Sequence, residues 1–212
     1  MPRIERFDFS LFCNERYIHG KEVRMELYES GTLEQEVLLN NCFDCLVDMG
    51  LESATMRSLC EATGLTASSI YYRFANKDEL VMEATVWGFR SVARSICWSL
   101  LEKTETFQEL FDGIYQEVSK NKKQLKLIYQ VAGSPKYGAI LRNRAKGLDT
   151  VYAGFTARLA EKIGCDADAL LPYVRLFVAT VREYVLWDDE ALAEKNLQFL
   201  YSRALELRGE NK

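Results

Sequence analysis

The chain has 212 residues, enough for one or two domains with a sizeable core. It is 48% apolar and 27% charged, with three prolines and no low-complexity tract, which marks an ordered globular protein. No apolar run reaches the roughly 18 residues of a membrane span and no signal peptide opens the chain, so a cytoplasmic protein without a membrane partner is expected. The net charge of −4 offers no sign of a polyanionic partner, and a single histidine, His19, leaves little for acid–base or metal chemistry.

Residues 1–31 form an extension without a helical pattern. Phe7, Phe9 and Leu11 alternate as in a strand, while Arg3 and Arg6 offer a basic arm of the kind that enters a minor groove. An appendage packed on the body is the plainer reading, and its role is open. From residue 32 the pattern is helix after helix. Thr32 and Gln35 have capping-box spacing, after which Leu38, Leu39, Cys42, Phe43, Cys45 and Leu46 recur at helical intervals up to Gly50. Thr55 can cap a second helix that Gly64 ends, and Thr66 can cap a third ending near Phe74. Asn76 and Glu79 open a fourth, expected to run to about Glu102. A helix, a short glycine-containing turn and a second helix make the helix-turn-helix arrangement. On the third helix Ile70 and Phe74 share the face expected to pack inward. Ala67, Ser68, Ser69, Tyr71 and Arg73 fall on the outer faces, and Tyr72 is expected to pack against the first helix.

The stretch LLNNCFDCLVDMGLESATMRSLCEATGLTASSIYYRFANKDEL, residues 38–80, resembles the DNA-binding domain of the TetR family of transcriptional regulators. Gly50 after the first helix, the TMRSL opening of the second, the GL turn and IYYRFANKDEL carry the likeness. The resemblance implies an all-α fold, with a helix-turn-helix domain at 32–80 followed by a larger effector-binding and dimerisation domain at 81–212. It implies DNA contacts from Thr55 and Arg57 at the start of the second helix and from Ala67, Ser68 and Ser69 at the start of the third. Tyr71, Arg73 and Lys77 would bind the phosphate backbone. Ala67 stands where many relatives carry a basic or amide side chain. Between residues 32 and 80 the cations are Arg57, Arg73 and Lys77, against eight acids, a net −5 on the domain meant to meet DNA.

Cys42 and Cys45, in CFDC, lie three apart on a helix. A lone thiol pair is weak evidence for a metal, and both positions fit small core residues; no metal or cofactor is expected. All six cysteines are expected as reduced thiols.

Beyond residue 80, helices are expected near 77–102, 106–120, 122–132, 136–163, 168–187 and 190–208. Trp98, Phe111, Tyr115, Tyr129, Tyr152, Phe155 and Phe177 are candidates to line a pocket, although aromatic residues at helical spacing more often simply fill a core. An effector there would be small and largely apolar or aromatic, with Arg94 or Arg175 available to an acidic group. The last two helices carry Val178, Val181 and Val185, then Leu197, Leu200 and Tyr201, the candidate faces of a twofold four-helix dimer interface. The expected function is therefore a homodimeric, effector-controlled regulator, more a repressor than an activator, bound to an inverted-repeat operator in double-stranded DNA. The alternative is a TetR-like dimer that binds a ligand or protein and has weak or no DNA binding. An enzyme is not expected, since no catalytic constellation or phosphate loop is present.

Overall fold

The computed structural model describes residues 33–144 and 148–207, with the backbone alone at 33, 97–100, 142–144 and 148–152. Of two compact units, the first, residues 1–37, is described only over its last five residues. The extension at 1–31, with Arg3 and Arg6, and the Thr32 cap lie outside the described residues.

All the described elements are helices. Four come first: α1 (Leu33–Met49), α2 (Met56–Thr63), α3 (Ala67–Arg73) and α4 (Lys77–Ala93). α4 passes through a π-helical turn, Arg94–Trp98, into α5 (Ser99–Lys103). The rest are α6 (Phe107–Lys120), α7 (Lys122–Gly133), α8 (Gly138–Arg144), α9 (Leu148–Ile163), α10 (Ala167–Trp187) and α11 (Glu190–Glu206). The single element expected over 136–163 is thus two helices, flanking residues 145–147, which are not described.

Local chemistry sets the helix starts. Thr55 Oγ1 accepts from the Ser58 amide at 3.1 Å while Ser58 Oγ accepts from the Thr55 amide at 2.9 Å, a reciprocal cap built with serine in the usual glutamate position. Thr66 and Asn76 accept from the amides of Ser69 and Glu79 at 3.2 and 2.9 Å. Gly64 ends α2 at φ 69°, a left-handed conformation that costs a residue without a Cβ nothing. Three starts and a stop inside about twenty residues are why the helix-turn-helix is so short and so sharply bent.

The head packs around Cys42, Phe43 and Leu46 of α1, Leu59 of α2, Ile70 and Phe74 flanking the end of α3, and Leu80, Val81 and Ala84 of α4, all buried. α1 and α4 approach closely at Gly88, where a Cβ would sit 2.3 Å from the Phe43 ring. In the body, α4 packs on α7, α7 on α10, and α9 and α11 on either side of α10. Asp188, at φ 64°, turns the chain from α10 into α11. Lys122 pairs with that aspartate and lies 4.0 Å over the Tyr184 ring, while Lys162 donates to the carbonyls of Leu101 and Thr104 and so closes α5.

Candidate nucleic-acid interface and apolar cleft

α3 presents one face to the core and the other to solvent. Ile70 and Phe74 are essentially inaccessible, whereas Ala67, Ser68, Ser69, Tyr71 and Arg73 are exposed. Tyr72 corrects the sequence expectation: it does not pack on α1 but is 92% exposed. The reason is angular. Tyr72 lies two residues from both Ile70 and Phe74, roughly 200° around the helix from each, so a face centred on those two turns Tyr72 outward. Tyr71, next to it, is 48% exposed. Two phenols, two serine hydroxyls and an arginine thus stand on one seven-residue helix. Ser69 Oγ is held 2.9 Å from Thr66 Oγ1, which leaves Ser68 as the uncommitted hydroxyl of the first turn.

The other head residues named from sequence have partners within the chain. Arg57 is highly exposed on the first turn of α2 and pairs with Glu61 at 3.0 Å, a surface pair of little energetic weight that a phosphate can displace. Thr55, just before it, is committed to its cap. Lys77 is half-buried and donates to the carbonyl of Ala54, the residue preceding that cap. Asp78, beside Lys77, accepts from Tyr137 Oη at 2.7 Å and from Lys136 Nζ at 2.7 Å. Bonds from Lys136 and Tyr137 hold its carboxyl below the usual aspartate range.

The body holds a wholly apolar cleft between α6, α9, α10 and α11. Phe107 stacks on Tyr201 at 5.1 Å, and Phe111 meets Tyr201 at 5.0 Å and Phe177 at 6.2 Å. Phe155 and Tyr173 complete the rings, with Leu110 and Leu200 among the aliphatic lining. Its volume is about 50 Å³, against roughly 300 Å³ or more for drug-sized ligands, so a ligand of that size enters only if the rings part. Of the residues expected here, Phe111, Phe155 and Phe177 line the cleft. Tyr115 does not: it donates to Glu190 at 3.0 Å beside Tyr184, and burial together with that carboxylate pushes its hydroxyl up to about 12. Tyr129, on α7, is half-buried elsewhere, and the side chains of Trp98 and Tyr152 lie outside those described. Phe107, Tyr173 and Tyr201 were missed. The pairs Phe107–Phe111 and Tyr173–Phe177, each four apart, were the available signal. One buried donor among the described residues has no acceptor, Trp87 Nε1 on α4.

The faces proposed from sequence for dimerisation also move. Val181, Val185, Leu197 and Leu200 are buried within the protomer, Val178 is half-buried, and Tyr201 belongs to the cleft. The strongest apolar stripes of α10 and α11 pack the protomer's own core. A second stripe stays outside: Leu176 and Trp187, eleven apart on α10, and Leu192 and Phe199, seven apart on α11, are each more than half exposed. Trp187 is 74% exposed.

The CFDC cysteines behave as core residues. Cys42 is fully buried and its thiol is pushed up to about 12, mainly by that burial, while Cys45 is half-buried against Met49. Cys42, Cys45, Cys60 and Cys165 form no disulfide, and no group of three metal-ligating side chains occurs among the described residues.

Residues 39–84 match the profile of bacterial regulatory proteins of the tetR family. The whole fold is similar to that of a transcriptional regulator from Rhodococcus sp. RHA1, at TM-score 0.58 and 21% identity over 82% of this chain and 97% of that one. It is also similar to a proposed transcriptional regulator from Pseudomonas aeruginosa PAO1, at TM-score 0.53 and 18% identity over 82% and 90% of the two chains. A proposed tetR family transcription regulator from Shewanella sp. PV-4 matches at TM-score 0.51 and 13% identity over 81% and 98%. No curated protein sequence matches the chain. At such identities the likeness to solved structures shows the fold; the profile match covers α2, α3 and their capped turn. On these grounds residues 39–84 carry a helix-turn-helix head similar to that of the tetR family of bacterial regulatory proteins, and the chain shares the all-α fold of the transcriptional regulators it resembles.

Proposed function

We propose that this DNA-binding regulator acts as a homodimeric repressor whose operator affinity is set by a small apolar or aromatic effector. The outward face of α3 carries the reading: Ser68, Tyr71 and the almost fully exposed Tyr72 stand opposite a face that is wholly buried. Ser68 and Ser69, at the start of α3, read base edges, with Ala67 allowing close approach, while Tyr71, Tyr72, Arg73, Arg57 and Thr55 position the phosphate backbone. Lys77 serves the head from within, through its bond to the Ala54 carbonyl. Two such heads in a twofold dimer read half-sites about one helical turn apart.

The effector belongs in the cleft between α6 and α9–α11, where Tyr201 is the ring that must move to admit it. Nothing in its lining answers a charge, and Arg94 and Arg175 stand exposed, outside that lining. An uncharged ligand suits it. Dimerisation uses the outer stripe of α10 and α11. The functional parts are then an extension at 1–31, a head that begins at residue 32 and is completed by α4 residues beyond the expected boundary at 80, and an effector-binding, dimerising body up to 212.

Selection of genomic fragments by the purified protein at about 50 and 150 mM salt tests this reading, because phosphate-driven binding weakens steeply over that interval. Enrichment of an inverted repeat that survives the higher salt is the expected result. A folded dimer that enriches nothing at either salt, with or without small aromatic ligands, overturns it. The net −5 on residues 32–80 would then count for the alternative, a family-like dimer that has left DNA.

A further inference from the structure

Lys77 and Asp78 are neighbours on the first turn of α4, and they reach in different directions. Lys77 donates to the carbonyl of Ala54, 23 residues back in the chain. Ala54 is fully buried and is followed at once by Thr55, whose cap starts α2. Asp78 accepts from Tyr137 Oη and Lys136 Nζ, 59 and 58 residues ahead, both at 2.7 Å. Tyr137 is itself buried, and its corner between α7 and α8 is stiff. Ser134 Oγ accepts from the amides of Lys136 and Tyr137, and the Gly138 amide bonds to the Ser134 carbonyl at 2.8 Å. The turn that carries the pair is fixed as well, by the Asn76 cap and by Glu79 Oε2 accepting from the Ala75 amide at 2.6 Å.

We propose that Lys77 and Asp78 form a two-sided relay, in which the α7–α8 corner acts through Tyr137 and Asp78 on α4, and α4 acts through Lys77 and Ala54 on the start of α2. They are positioning residues, which act on the surface that meets DNA through Thr55 and Arg57. Three observations support a relay over two unrelated contacts. Both links are charge-assisted, and so are stronger and more directional than neutral hydrogen bonds. The links end on Ala54 and Tyr137, both buried, so neither closes on a loose surface residue. The shared turn leaves no soft segment between them. α7 packs on α10, one wall of the aromatic cleft, so a ring movement there has a continuous packed route to the corner. That the start of α2 would then meet DNA differently rests on the regulator reading above.

The test is hydrogen exchange of the full-length protein, read at the amides of Ser58 and Leu59, which bond back to Thr55 Oγ1 and to the Thr55 carbonyl. Four variants suffice: Tyr137→Phe, Asp78→Asn, Lys77→Met, and Tyr137→Phe with Lys77→Met. Tyr137→Phe removes one hydroxyl and keeps the ring, and is expected to speed exchange at Ser58 and Leu59 about tenfold while leaving α9 to α11 unchanged. Lys77→Met should match it, and the double variant should be no faster than Lys77→Met alone, because links in series fail once. Should Tyr137→Phe not fold, Asp78→Asn gives the same reading. Exchange changes confined to residues 134–141 and 76–80, or effects that add in the double variant, would overturn the relay. On a DNA fragment retained by the wild type, Tyr137→Phe is expected to shift affinity about tenfold. If the wild type retains no fragment, the regulator reading fails while the exchange result still decides the relay.

Discussion

Tyr71 and Tyr72 share a residue type and a helix, yet one is half covered and the other stands free. On the proposed reading the two would meet DNA differently, one phenol half covered by the head and the other reaching out from it. Tyr72→Phe is expected to weaken binding to a retained fragment about three- to tenfold, the worth of one hydrogen bond, and equally for all sequences. Ser68→Ala should instead alter which sequences are enriched. Both are read by repeating the fragment selection beside a direct affinity measurement, and equal binding by Tyr72→Phe and wild type would remove that tyrosine from the interface. Sequence reasoning placed Tyr72 wrongly because it weighed the aromatic ring's apolar area above its angle. Ile70 and Phe74 had already fixed the buried face, and the angle from them was legible.

At the scale of elements, the caps of α2, α3 and α4 were readable in full, because an N-cap is decided within three residues and needs no tertiary neighbour. Thr55→Ala is expected to cost about 1 kcal/mol in chemical denaturation, and Thr55→Ser much less, since serine retains the accepting hydroxyl. The crossing of α1 and α4 was not readable, because nothing local marks Gly88 as the point where a ring from another helix arrives. Gly88→Ala is expected to destabilise by about 1–3 kcal/mol through the Phe43 ring, and Phe43→Leu in the same chain should recover part of that loss. If Gly88→Ala melted with the wild type, the close packing of α1 on α4 would be wrong. The dimer stripe failed for a related reason. α10 and α11 each carry two apolar stripes, and which one faces the protomer's own core depends on α7 and α9.

For the whole molecule, charge and assembly are the measurable consequences. Arg57 and Arg73 are the exposed cations of the described head, so on the proposed reading a dimer neutralises about four phosphates and its binding should fall with a log–log salt slope of about −4. A slope near −8 would mean that further cations, such as Arg3 and Arg6, take part. Replacing Trp187 and Phe199 together by glutamate should shift a dimer toward monomer by at least about tenfold in sedimentation, without loss of helicity, because both side chains already stand in solvent. Unchanged dimerisation would send the interface elsewhere. The expected boundary at residue 80 falls inside α4, whose buried residues Leu80, Val81, Ala84 and Gly88 complete the head, and the same helix runs on through the π-helical turn into the body. Recombination therefore has no clean seam here. A chimera that joins this head to another regulator's body at residue 80 would inherit an unfinished core, whereas a junction beyond Val92 would carry the head whole and bring a π-helical turn along as its hinge to the new partner.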